Sequence, residues 1–135
     1  GVSVSQSFQP VQGAWQMVCE LEDETAVRDC SPNFEALMSA TSMGVSVTAA
    51  GSDVDYVSRF FIPQLGVNED PVTGSAHCQL VPFWSQRLSR GQLHARQISA
   101  RGGEIEGWLK GDRVLLAGNC SMFSEGRLFL PSDSI

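Results

Sequence analysis

Metal-ligand spacing is missing from this chain. Its four cysteines stand at positions 19, 30, 78 and 120 with no C-x-x-C pair, and its two histidines, His77 and His94, lie far apart. A zinc site is unsupported by that pattern, and no metal is expected. Positive charge is also short: nine Lys and Arg against fifteen Asp and Glu leave a formal net charge of −6. The basic residues are scattered, so the clustered cation face that phosphate backbones require is absent and no nucleic-acid partner is expected. No apolar run approaches the ~20 residues that span a bilayer. No charged segment followed by an apolar run opens the chain, so neither a membrane span nor a signal peptide is expected. Four cysteines would suit disulfides in a secreted chain; without a leader they read as reduced thiols in the cytoplasm. Charged residues make up 18% and hydrophobic residues 42% of 135 positions. That balance disfavours disorder and fits one domain over residues 1–135 with a core of its own.

What is present is an ordered series of periodic segments. Residues 1–13 read as a short strand and a loop, or as the entry to a domain, since the chain does not begin with Met. Trp15 to Leu21 alternates as a strand does. Asp23-Glu24-Thr25 opens a helical turn, where acids favour the dipole, and Ser31-Pro32-Asn33 divides two short helices, with Asn33 as a cap. Gly44 is the expected stop of the second helix. Val45 to Ala49 and Asp55 to Phe61 are strands separated by a Gly51-Ser52-Asp53 turn and ended by Pro63. A loop containing Gly66 and Asn68 follows. From Thr73 to about Ser89 the pattern is helical, with Ala76, Leu80, Phe83, Trp84 and Leu88 on one face; Pro82 predicts a kink or break inside it. After Gly91 come strands over 93–99, 104–109, 113–117 and 120–130 with short turns, an antiparallel meander. Strand, helices, strands, long helix, meander is an α+β order, with a mixed sheet wrapped around one long helix.

The chemistry concentrates in Glu69-Asp70-Pro71-Val72-Thr73-Gly74-Ser75-Ala76-His77. Thr73, Gly74 and Ser75 form the first turn of the long helix, whose N–H groups and dipole suit a substrate carboxylate without any lysine. Asp70, three residues upstream of Thr73, is placed to hold an amine or hydroxyl, or to join a proton relay. The plainer reading is capping, in which Asp70 or Thr73 satisfies the helix N–H groups and nothing more. His77 lies one turn in; it either lines the same pocket or is a satisfied core histidine. Glu69 reads as a base or as a solvated charge, and Cys78 as a buried small hydrophobe rather than a nucleophile. Arg101-Gly102-Gly103 reads as a turn or bulge, or as a place where backbone approaches a ligand.

That nine-residue string, together with Asp55 to Phe61, the Gly66 loop, Gln97 to Glu104 and Asp112-Arg113-Val114, resembles the phenazine-biosynthesis PhzF-like family. The resemblance runs from about Trp15 to Leu130. It implies the diaminopimelate-epimerase-like fold, in which two similar lobes each wrap a mixed, mostly antiparallel sheet around a central helix and the active site lies between them. It implies cofactor-free isomerases that move a proton on a small amino- or hydroxy-carboxylate. Asp70 and Ser75 match catalytic residues of the second lobe, and Gly74 matches the helix-start glycine that contacts ligand. Thr73, Gly74 and His77 are accordingly the candidate substrate-binding residues, beside Asp70 and Ser75 as catalytic candidates.

The departure from the family is a missing half. Only the C-terminal lobe has a counterpart here, and the first-lobe glutamate that carries the proton has none; Glu20, Glu22 and Glu24 sit in the wrong context. General acid–base work needs its proton carrier within hydrogen-bond reach of the substrate. Two classes of function therefore stay open. One is an isomerase lobe completed by a second lobe in cis or by a second copy in trans. The other is a non-catalytic small-molecule-binding or self-associating module.

Overall fold

A computed structural model describes residues 4–8 and 16–129. The elements run β1 (Val4–Phe8), β2 (Gln16–Leu21), α1 (Glu24–Arg28), α2 (Phe34–Ala40), β3 (Gly44–Ala50), β4 (Tyr56–Ile62), a 3-10 turn (Pro63–Leu65), β5 (Val67–Asp70), α3 (Gly74–Leu88), β6 (Gln92–Gln97), β7 (Gly103–Lys110) and β8 (Arg113–Ala117). All eight strands form one sheet in the order β1-β2-β3-β4-β6-β7-β8, with β5 paired beside β4. The pairings β2–β3 and β4–β6 are parallel and the others antiparallel. This is the α+β lobe expected, with a mixed and mostly antiparallel sheet.

The two faces of the sheet bury different helices. On one, Val18, Tyr56, Phe60, Ile62, Leu93 and Ala95 pack against Ala76, Leu80, Val81 and Trp84 of α3, with Val114 and Leu116 of β8 closing the far side. Strands from β2 to β8 thus curve around one long helix. On the other face, Cys19, Leu21, Val45, Val47, Ala49, Val57 and Phe61 pack against Val27, Phe34 and Leu37 of the two short helices. Strands β3 and β4 are covered on both sides, so they are buried almost continuously and lose simple alternation. Strands β7 and β8, covered on one side, alternate.

Several expectations change. Gly44 does not end α2; that helix stops at Ala40 with an extended Thr41, and Gly44 begins β3. A Cβ at Gly44 would overlap the Phe60 ring, so the glycine serves packing rather than helix termination. The Gly66 segment is more than a loop. Gly66 takes the left-handed conformation (φ 79°) after the 3-10 turn, and the chain doubles back so that β5 pairs with β4. Helix α3 runs unbroken through Pro82. The carbonyl that Pro82 leaves unbonded belongs to Cys78, an exposed position where water can serve it. Ser89 caps the helix in the left-handed region (φ 53°), at the expected boundary. Residues 120–129 form no strand, and Met122, Phe123, Leu128 and Phe129 are exposed. Trp15 and Pro10 lie outside the described residues. Among the described residues no helix is long and apolar enough to cross a membrane.

Candidate active site

The start of α3 is built by a turn that two strands hold in place. Asp70 ends β5, Pro71 and Val72 turn the chain, and Thr73 occupies the cap position with extended backbone. Thr73 does not cap: its side chain accepts nothing from the helix. Its hydroxyl donates instead to Asp70 Oδ2 at 2.5 Å. The two short helices behave differently. Asp23 accepts from Ala26 N–H at 2.7 Å and Asn33 accepts from Ala36 N–H at 3.0 Å, the ordinary side-chain caps. In α3 the first intrahelical bonds are Ala76 N–H to Thr73 O at 3.1 Å and His77 N–H to Thr73 O at 3.4 Å. The N–H groups of Gly74 and Ser75 have no partner among the described residues, and both residues are exposed.

Strand β6 and the turn after it lock this arrangement. Gln97 is fully buried and makes three bonds to the turn. Its Oε1 accepts Thr73 N–H at 2.9 Å, and its Nε2 donates to Asp70 O at 2.7 Å and to Thr73 Oγ1 at 3.1 Å. Ser99 Oγ donates to Pro71 O at 2.7 Å and accepts Gly102 N–H at 3.0 Å. Gly102 is left-handed (φ 71°), and a Cβ on Gly103 would overlap Val72. The Arg101-Gly102-Gly103 segment is therefore the β6–β7 turn, and its second glycine permits close packing on Val72. Beside the helix start lies an open cleft of about 800 Å³ lined by Val72, Gly74, Arg101, Ile105, Leu116 and Asn119, among others. Arg101 is exposed and has no carboxylate partner among the described residues.

The remaining candidates fall on both sides of expectation. Asp70 is half-buried beside Thr73, and Oδ1 has no partner among the described residues. Ser75 stands exposed on the first turn. His77 has no exposed surface, which is the core position of the two expected for it. Its Nδ1 lies 2.8 Å from the Tyr56 hydroxyl, and Tyr56 stacks on Trp84 at 5.7 Å. Burial pushes the His77 imidazole down to about 4, with the Gln97 side chain working weakly against it. Both amide hydrogens of Gln97 are committed to the turn, and His77 Nε2 is left without a hydrogen-bond partner. Burial also drives the Tyr56 phenol well above its ordinary value, so it remains protonated. Glu69 is not a solvated charge. It pairs bidentately with Arg59 at 2.7 and 2.9 Å, and Arg59 also donates to the carbonyls of Arg28 and Cys30. Cys78 is exposed rather than buried.

Sequence reasoning passed over Gln97, Ser99, Tyr56 and Arg59. A signal existed for the first: Leu93, Ala95 and Gln97 share the core face of β6, and a glutamine there needs buried partners. Among the described residues no group of three or more His, Cys, Asp or Glu side chains is placed to hold a metal ion.

The sequence and the fold are matched by a known family. The family model for phenazine biosynthesis-like proteins (PhzC-PhzF) matches residues 7–126. The chain belongs to this family. An uncharacterized isomerase of Pseudomonas aeruginosa is 54% identical over 110 residues, which cover 82% of this chain and 42% of the relative. The human phenazine biosynthesis-like domain-containing protein is 49% identical over 75 residues, 55% of this chain and 26% of that protein. Among solved structures, a PhzF-family protein from Enterococcus faecalis superimposes with a TM-score of 0.83 at 39% identity, covering 96% of this chain and 48% of that one. A putative PhzC/PhzF protein from Clostridium difficile gives a TM-score of 0.77 at 38% identity, covering 87% and 46%. The chain thus spans less than half the length of these PhzC-PhzF relatives.

Proposed function

We propose that this chain is the C-terminal lobe of a PhzF-like isomerase that moves a proton on a small amino- or hydroxy-carboxylate without a cofactor. The observation that carries this reading is the uncapped start of α3. Asp70 and Thr73 bond to each other and leave the Gly74 and Ser75 N–H groups open, and of these residues Gly74 lines the adjacent cleft. A plain cap would have used one of these side chains on the helix. The open N–H pair and the helix dipole would hold the substrate carboxylate, while the free Asp70 oxygen would take its amine or hydroxyl. Ser75 would assist at the reacting end. His77 would support the helix start from beneath through Tyr56.

On this reading one side of the reaction comes from outside this lobe. Glu69 is committed to Arg59, Glu20 to Arg87, and Glu24 to Ser52 and Arg28. These three are held by other partners, and on this reading the second proton carrier comes from a facing lobe, supplied in cis or by another copy. The same commitments favour the second reading, a lobe that binds a small carboxylate without turning it over.

The test is an amide-shift titration of the complete reading frame that contains this chain. Addition of 3-hydroxyanthranilate should move the Gly74 and Ser75 amides and saturate in the millimolar range or tighter, roughly −4 kcal/mol or better. No movement at those two amides would sink the site. Proton exchange into the probe from deuterated buffer would then separate an isomerase from a binding module.

A further inference from the structure

We propose that Gln97 is the positioning residue for Asp70, a role that deepens the reading above and rests on it. The hydrogen-bond geometry leaves one orientation for the Gln97 amide. Thr73 N–H can only donate, so the atom 2.9 Å from it is the amide oxygen; Asp70 O can only accept, so the atom 2.7 Å from it is the nitrogen. The second hydrogen of that nitrogen goes to Thr73 Oγ1 at 3.1 Å. Thr73 Oγ1 therefore accepts from Gln97 and turns its own hydrogen to Asp70 Oδ2 at 2.5 Å. One buried amide from a different strand thus sets both backbone ends of the Asp70–Thr73 turn and the direction of the hydroxyl between them. The result is an Asp70 carboxylate with Oδ2 occupied and Oδ1 left for a ligand.

The burial of Gln97 makes this a demanding device. A fully buried amide must satisfy all its hydrogen-bonding groups or destabilise the core. An apolar residue would suit the β6 core face better for stability alone, as Leu93 and Ala95 show on the same face. All three side-chain bonds of Gln97 go to the Asp70–Thr73 turn at the end of β5.

Rotamer and ligand preference together test the proposal in the complete reading frame. Three-bond couplings from Asp70 Cγ to its backbone nitrogen and carbonyl carbon report whether χ1 occupies one staggered well. The wild-type protein and Thr73→Ser should show a single rotamer; Gln97→Met and Thr73→Val should show averaging. Two probes then separate positioning from general damage. Both 3-hydroxyanthranilate and benzoate carry the carboxylate for the helix start, but only the first has an amine and hydroxyl for Asp70. Wild type should prefer 3-hydroxyanthranilate by about tenfold, the size of one charge-assisted hydrogen bond. Gln97→Met should lose that preference while keeping benzoate affinity, and Thr73→Val should lose the preference as well. An Asp70 rotamer that stays fixed in variants that fold overturns the proposal, as does a preference retained in both. If Gln97→Met does not fold, Gln97→Glu decides, because its carboxylate still accepts Thr73 N–H but donates to neither Asp70 O nor Thr73 Oγ1. If the rotamers respond as stated and wild type binds neither probe, the positioning role stands and the substrate-site reading fails.

Discussion

Lowering the pH should destabilise this lobe through His77 before its carboxylates matter. His77 has no exposed surface, and burial holds it down to about 4 against an ordinary value near 6.5. The native protein therefore keeps the ring neutral, while the unfolded chain takes up a proton as the pH falls through about 6.5. Because the unfolded state binds the extra proton, stability declines from about pH 6.5 down to about pH 4, below which both states are protonated. The gap corresponds to about 3 kcal/mol, with a slope no steeper than about 1.4 kcal/mol per pH unit. That is a large share of the 5–15 kcal/mol typical of a domain. The assay is urea denaturation at pH steps from 7.5 to 4, comparing wild type with His77→Gln. The variant should be less stable at neutral pH, having altered the contact with Tyr56, but its profile should be flatter across the window. Glu24 and Glu104, held below the usual carboxylate range by their hydrogen bonds to Ser52 and Arg96, are common to both proteins and cancel in the difference. Parallel profiles between pH 6.5 and 4 would refute the argument and show that His77 is protonated in the folded protein.

Gly103→Ala should cost about 1–3 kcal/mol, because the new methyl overlaps Val72, which leads directly into Thr73; urea unfolding gives the cost, and the Thr73 amide shift should move with it. Arg59→Lys should cost about 1–2 kcal/mol, since a lysine cannot reproduce the bidentate grip on Glu69 together with the carbonyls at the end of α1. A double-mutant cycle with Glu69→Gln checks this: the two costs should fall well short of adding, and full additivity would deny the pairing.

Much of the fold was legible. The long helix was bounded correctly at Thr73 and Ser89 because its apolar face recurs at helical spacing over four turns and α3 is one-sided in its burial. Strand β4 was legible as well, its run ended by Pro63. What failed were features whose cause lies in another element. Gly44 reads locally as a helix stop, yet the Phe60 ring across the sheet is what demands it. Strand β5, with Val67 and Asn68 exposed and Glu69 and Asp70 half-buried, has no alternation to read; its existence depends on pairing with β4. The exposed 120–129 segment has strand composition but, among the described residues, no neighbour to pair with.

The candidate site divides in the same way. Its residue types, their spacing and their place at a helix start were fixed locally by the Glu69–His77 string, because a turn and a helix N-terminus are made by consecutive residues. Whether Asp70 and Thr73 cap the helix or leave it open could not be read from that string, since both arrangements use the same residues at the same spacing. The choice is made 24 residues later in the chain by Gln97, whose amide takes Thr73 N–H and gives its hydrogens to Asp70 O and Thr73 Oγ1. The burial of His77 is decided likewise, by Tyr56 on β4. Local sequence set which groups stand at the site; hydrogen bonds between strands distant in sequence set which of them remain free to bind.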